Sequence, residues 1–70
     1  MLMENLSTKL KDLRLSKNLT LKSTAEHLGL SLGAYAHYEQ GIREPSLAVL
    51  VKICDFFEVS ADYLLGRSAF

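Results

Sequence analysis

The 70-residue chain has no tryptophan, one cysteine, one proline and four glycines, and each scarcity narrows what it can be. A lone cysteine, Cys54, permits neither an internal disulfide nor a thiolate metal cluster. Within "LVKICDFFEV" it reads as a small core hydrophobe rather than a nucleophile. With Pro45 as the only proline, little interrupts helix formation. Apolar runs stop after a few residues, too short to span a bilayer. The start, "MLMENLSTKLKD", lacks the basic and apolar regions of a secretory signal, so a cytoplasmic location is expected. No paired-carboxylate cleft, glycine-rich phosphate loop or Ser–His–Asp arrangement can be assembled, and so short a chain leaves little room for a pocket. The expectation is a protein that is not an enzyme and uses no cofactor. His27 and His37 are not at metal-ligand spacing, so no metal is expected either, and His27 reads as a surface residue.

Net charge is zero, which by itself argues weakly against a polyanionic partner. The distribution is more informative. Residues 1–22 carry five basic and two acidic side chains, a net +3, whereas residues 23–70 carry three and six, a net −3. A polarised neutral domain can still present one basic face.

What the chain does have is hydrophobic residues, 49% of its length, at helical spacing. Seventy residues make one domain, 1–70, which buries about 60–65% of its unfolded surface. Leu6, Leu10, Leu13 and the stem of Lys17 recur at i, i+4, i+7 and i+11, which predicts a first helix over about 5–17 ending at Asn18. Thr20 is a good N-cap for a second helix with Ala25 and Leu28 inside, stopped by Gly29. Ser31 caps a third, with Tyr35 and Tyr38 as its packing side and Gly41 at its end. Ser46 begins a fourth, with Leu47, Leu50, Ile53, Cys54 and Phe57 at core spacing. Ser60 caps a last short helix, "ADYLL", that carries Asp62 and Tyr63 and stops before Gly66, so the C-terminal helices fill about 46–65. The fold class expected is an all-α bundle of five helices with short loops.

The middle of the chain, "LKSTAEHLGLSLGAYAHYEQ" (residues 21–40), is the informative part. A turn as short as "GLS" makes two helices cross steeply, and a small residue is needed where they meet. Ala25 sits there, and Leu28, Leu30, Tyr35 and Tyr38 supply the wedge between them. Together with "LKDLR", "NLTL", "YAHYEQGIREPS" and "LVKICDFFEVSADYLLG", this order of segments resembles the Cro/C1-type helix-turn-helix family of phage repressors and bacterial transcription regulators over residues 10–65. The closing "FFEVSADYLLGR" is similar to Gram-positive phage and element-borne repressors in particular.

The resemblance implies a lambda-repressor-like bundle that binds double-stranded operator DNA, with the helix at 31–40 in the major groove and the second helix across the backbone. By position, the base-facing residues would be Leu32, Gly33, Ala36 and His37. Backbone contacts would come from Lys17, Leu21, Lys22, Ser31 and Arg43. Arg14 and Glu39 match a charged pair that ties the first helix to the end of the third, while Ala25, Gly29 and Gly41 have structural roles. The chain departs from the family pattern at Leu21 and Thr24, where glutamine and a core leucine are common, and at Leu32 and Gly33, where long polar side chains are usual. Gly33 admits two readings, close approach to DNA or a position under no demand. Leu32 packs on thymine methyls or is simply an exposed leucine. His37 contacts guanine or phosphate, or is a solvated histidine.

The expected function is therefore a repressor-like transcriptional regulator working as a homodimer. Its dimer contact is expected in the C-terminal segment, about residues 56–70, because Tyr63, Leu64, Leu65 and Phe70 offer more apolar surface than one small core needs. The alternative is a protein-interaction module of the same fold, with Leu21, Leu32 and Phe56 or Phe70 meeting a protein partner.

Overall fold

In the computed structural model, which describes residues 4–66 and side chains from Leu6 onward, five α-helices follow one another. They are α1 (Glu4–Ser16), α2 (Leu21–Leu28), α3 (Leu32–Gln40), α4 (Leu47–Phe57) and α5 (Ala61–Leu64). No strand occurs among the described residues, and no helix there is long and apolar enough to cross a membrane.

Local chemistry accounts for where the helices begin. The hydroxyls of Thr20, Ser31, Ser46 and Ser60 accept from the backbone N–H groups of Ser23, Ala34, Val49 and Tyr63, each three residues on. Each bond satisfies one of the orphan donors of a helix N-terminus, for which a Ser or Thr cap contributes about 1 kcal/mol. The stops differ among themselves. Gly29 and Gly41 take left-handed conformations, with φ of 70° and 74°, and the next residue's N–H reaches back to the Ala25 and His37 carbonyls respectively. That backbone pattern needs a residue without a β-carbon penalty. At the end of α4 the same conformation falls on Glu58, with φ of 57°. No glycine marks that stop, and nothing in the residue pattern warns of it.

α3 packs against both α1 and α2, while α4 packs on α2 and α5, and α5 closes back on α1. The core they enclose comprises Leu6, Leu10, Ala25, Leu28, Tyr35, Tyr38, Leu50, Ile53, Phe57 and Leu64, with Cys54 half-buried against it. Burial pushes the Cys54 thiol pKa up, with a smaller contribution from Asp55, which suppresses the reactive thiolate. Thr24 is also fully buried, and its hydroxyl donates to the Thr20 carbonyl at 2.9 Å. The hydroxyl therefore enters the core with its hydrogen bond made, at little cost.

Three expectations need correcting. α1 runs from Glu4 to Ser16, and Lys17 lies beyond it with an exposed side chain, so its stem is not part of the inner face. Leu47 is 78% exposed: it occupies the first position of α4, where no neighbouring helix covers it. Leu64 is fully buried and Tyr63 half-buried beneath Lys9, whose ammonium lies 4.8 Å from the ring centroid. The last helix thus spends its apolar surface on its own core, and it offers less to a partner than the count of hydrophobic residues suggests. Phe70 lies outside the described residues.

Candidate nucleic-acid interface

The α2–α3 unit is two capped helices joined by the three residues Gly29, Leu30 and Ser31. Ala25, fully buried, occupies the inner side of α2, and Tyr35 and Tyr38 anchor α3 from below. With those positions committed to the core, the opposite side of α3 is left facing water. Leu32, Gly33, His37 and Gln40 are exposed there, and Ala36 is half-buried. Of the four residues expected to face bases, Leu32, Gly33 and His37 are therefore accessible to a ligand, Leu32 at 49% exposure, and Ala36 only in part.

The expected backbone-contacting residues are distributed around this helix. Ser31 begins α3 and holds the Ala34 N–H with its own oxygen, which leaves its hydroxyl proton for an external acceptor. Leu21 and Lys22 form the first turn of α2, where the positive end of the helix dipole favours an anion. Lys22 is exposed, but Leu21 is half-buried against the core, so only part of it is available. Arg43 is exposed just after α3, and its N–H and that of Ile42 both reach the His37 carbonyl. Lys17 is exposed in the loop between α1 and α2.

One side chain joins these parts. Arg14 of α1 donates from Nε to Glu39 Oε2 at 2.7 Å and from Nη2 to Glu39 Oε1 at 3.2 Å, a two-pronged pair with the carboxylate on α3. Its Nη1 donates to the Leu19 carbonyl at 2.8 Å, which holds the loop leading into α2. Side-chain exposure is only 11% for Arg14 and 6% for Glu39. A planar guanidinium suits this task because its donors form a rigid fork that a lysine cannot reproduce. The hydrogen bond to Glu39 raises the Arg14 pKa further, so its charge is permanent. The link from Arg14 to Glu39 follows the charged pair that the family resemblance implies, whereas its grip on the Leu19 carbonyl had no sequence signal.

Tyr35 lies next to this pair. Its ring is fully buried, and its hydroxyl makes no hydrogen bond among the described residues. Burial first, and the neighbouring Glu39 second, push the phenol pKa well above its ordinary value.

His27, on the outer side of α2, stays exposed yet is not loose. Its Nδ1–H donates to the Ser23 carbonyl at 2.8 Å, and its ring lies 5.4 Å from that of Phe56. Phe56 is in turn edge-on to Phe57. This places half-buried Phe56 in a ring cluster between α2 and α4, away from α3.

A capped helix pair with a three-residue turn, its second helix bare along its outer side and braced by a partly buried ion pair, defines a helix-turn-helix unit. The helix-turn-helix family model matches residues 10–64, and the chain belongs to that family in its Cro/C1-type form. Among curated proteins it is 46% identical over 59 residues to the HTH-type transcriptional regulator AnsR of Bacillus subtilis (strain 168), covering 84% of this chain and 51% of that protein. It is 44% identical over 52 residues to the cryptic phage CTXphi transcriptional repressor RstR of Vibrio cholerae, covering 74% and 46%. It is 42% identical over 58 residues to the HTH-type transcriptional activator BcrR of Enterococcus faecalis, covering 83% and 28%. The chain thus spans about half, or less, of the length of these relatives. No solved structure is a significant match.

Proposed function

We propose that this chain is the DNA-binding part of a sequence-specific transcriptional regulator, a cytoplasmic binding protein rather than an enzyme. α3 enters the major groove of operator DNA, and the start of α2, Ser31 and Arg43 grip the phosphates on either side. The observation that carries this reading is the outer side of α3, kept free of core duties while Arg14 fixes α3 and the approach to α2 in one frame. The relatives' names include both a repressor and an activator. Repression remains our reading for this chain, from its likeness to phage repressors.

The operator is bound by a homodimer. Half-sites on one face of a duplex lie about 34 Å apart, whereas the longest Cα extent of the described residues is 28 Å. Two copies in successive grooves therefore meet edge to edge over a small area, and DNA stabilises the pair as much as protein contact does. Leu65 and the chain around residues 56–70 supply one edge. Half-buried Leu65 adds little on its own, so exposed Val51 and Leu47 of α4 contribute apolar surface too.

A binding selection on random duplexes at two salt concentrations tests the reading. With Lys17, Lys22 and Arg43 on each copy, about six phosphate contacts give a log–log salt slope of roughly −5. Selected half-sites about 10 base pairs apart, centre to centre, support the dimer. If no duplex is bound below micromolar at low salt, the DNA reading fails. In that case exposed Leu32 and Ile42 favour a protein-binding module instead.

A further inference from the structure

The outer side of α3 is short of the groups that usually read bases. A reader of guanine or adenine offers paired donors and acceptors on a long side chain. Along the first two turns of α3, only His37 brings a side-chain nitrogen to the surface. Two residues there are unexplained by the fold. Leu32 is 49% exposed although the core beneath α3 is already filled by Tyr35 and Tyr38. Gly33 is helical, and beyond its chain neighbours and the backbone of its own helix no heavy atom lies within 4 Å of the place its β-carbon would occupy. The fold would accept alanine there, and helix propensity prefers it.

We infer that Leu32 and Gly33 together form a thymine reader. This rests on the reading that α3 enters the major groove, and it names what α3 selects there. The 5-methyl group of thymine is the one apolar group that the unmodified major groove presents. Leucine has no donor or acceptor to distinguish other base edges, but it gains by taking a methyl out of water. Glycine at the adjacent position leaves a gap of one β-carbon, through which the methyl-bearing edge reaches the helix backbone. A buried methyl is worth about 0.8 kcal/mol, a factor of roughly four in affinity. One such contact per half-site makes the factor about 15 for a symmetric dimer site.

The test uses the best duplex from the selection, rebuilt with deoxyuridine for thymine inside the half-sites, which deletes the methyl and keeps the pairing. A second duplex carries the same replacement outside them. Binding is followed by fluorescence anisotropy. The wild-type protein should lose about 15-fold on the first duplex and nothing on the second. Leu32→Ala should bind the thymine and uracil half-sites alike, and Leu32→Met should retain most of the discrimination. Gly33→Ala should melt at a higher temperature than wild type, yet bind the thymine duplex more weakly while its affinity for the uracil duplex stays unchanged. If wild type prefers its site over random DNA but tolerates uracil throughout, the inference is wrong and the DNA-binding reading survives. If it binds no duplex at all, both fall.

Discussion

Replacing Arg14 by alanine removes three hydrogen bonds at once, two to Glu39 and one to the Leu19 carbonyl. The larger consequence is what remains. Glu39, 6% exposed, would keep its negative charge beside the buried Tyr35 hydroxyl with no cation at hand. Breaking a fully buried pair costs about 3–5 kcal/mol, and an exposed one at most about 1. The domain is thin, 19 Å along its shortest axis, so water can reach the carboxylate once the long arginine side chain is gone. We therefore expect a loss of about 2 kcal/mol for Arg14→Ala. In a domain of this size that lowers Tm by about 8–16 °C. Glu39→Ala should cost less, about 1 kcal/mol, because the guanidinium keeps the Leu19 carbonyl and can turn to solvent. Because tryptophan is lacking, urea unfolding followed by circular dichroism at 222 nm is the suitable assay. The double mutant should be no less stable than Arg14→Ala alone, since the orphaned charge is gone. Combining Arg14→Met with Glu39→Leu, an apolar pair of similar volume, should recover most of the loss. Additive single-mutant losses would refute the reasoning, because they would mean that the two side chains do not share their stabilisation.

Other outcomes follow from particular side chains. Tyr35→Phe should change the neutral-pH midpoint little, since the deleted hydroxyl has no hydrogen-bond partner in good geometry among the described residues, only the Glu39 carboxylate nearby. The folded pKa of Tyr35 lies above the unfolded value of about 10, so wild-type stability is intact below pH 10 and declines above it. A pH series of urea midpoints should show that decline reduced in Tyr35→Phe. Glu58→Gly should raise stability by about 0.5–1 kcal/mol, because the αL position that ends α4 strains any residue with a β-carbon; an unchanged or lower thermal midpoint would contradict this. On DNA, His37→Ala should cost about 1–3 kcal/mol on the best site and little on random duplex, whereas Lys22→Ala should weaken both alike and make the salt slope shallower. Equal losses for both mutants on both duplexes, measured by anisotropy, would show that His37 reads no base.

The helices, their order and their starts were legible because those signals are local. A cap acts over three residues, as Thr20 on Ser23 and Ser31 on Ala34 do, so it can be read without knowing the rest of the molecule. The types of residue on the outer side of α3 were equally plain. Tertiary structure decided everything that depends on a distant neighbour. On α4 the spacing points to Leu47, Leu50, Ile53, Cys54 and Phe57 as the inner side. Apolar residues also run on through Ala48, Val49 and Val51, so periodicity cannot say where the buried stripe begins. Packing against α2 and α5 buries Leu50, Ile53 and Phe57 as that spacing expects, and leaves Leu47, at the uncovered start of the helix, in water. The same holds for the site. A string of letters shows that Arg14 and Glu39 are oppositely charged, but not that one guanidinium also holds the Leu19 carbonyl, nor that Tyr35 is buried beside it with its hydroxyl unbonded. Nor does it show that the space over Gly33 is empty. Hydrogen bonds, burial and clearance are properties of groups brought together from different helices, and only the closed bundle brings them together.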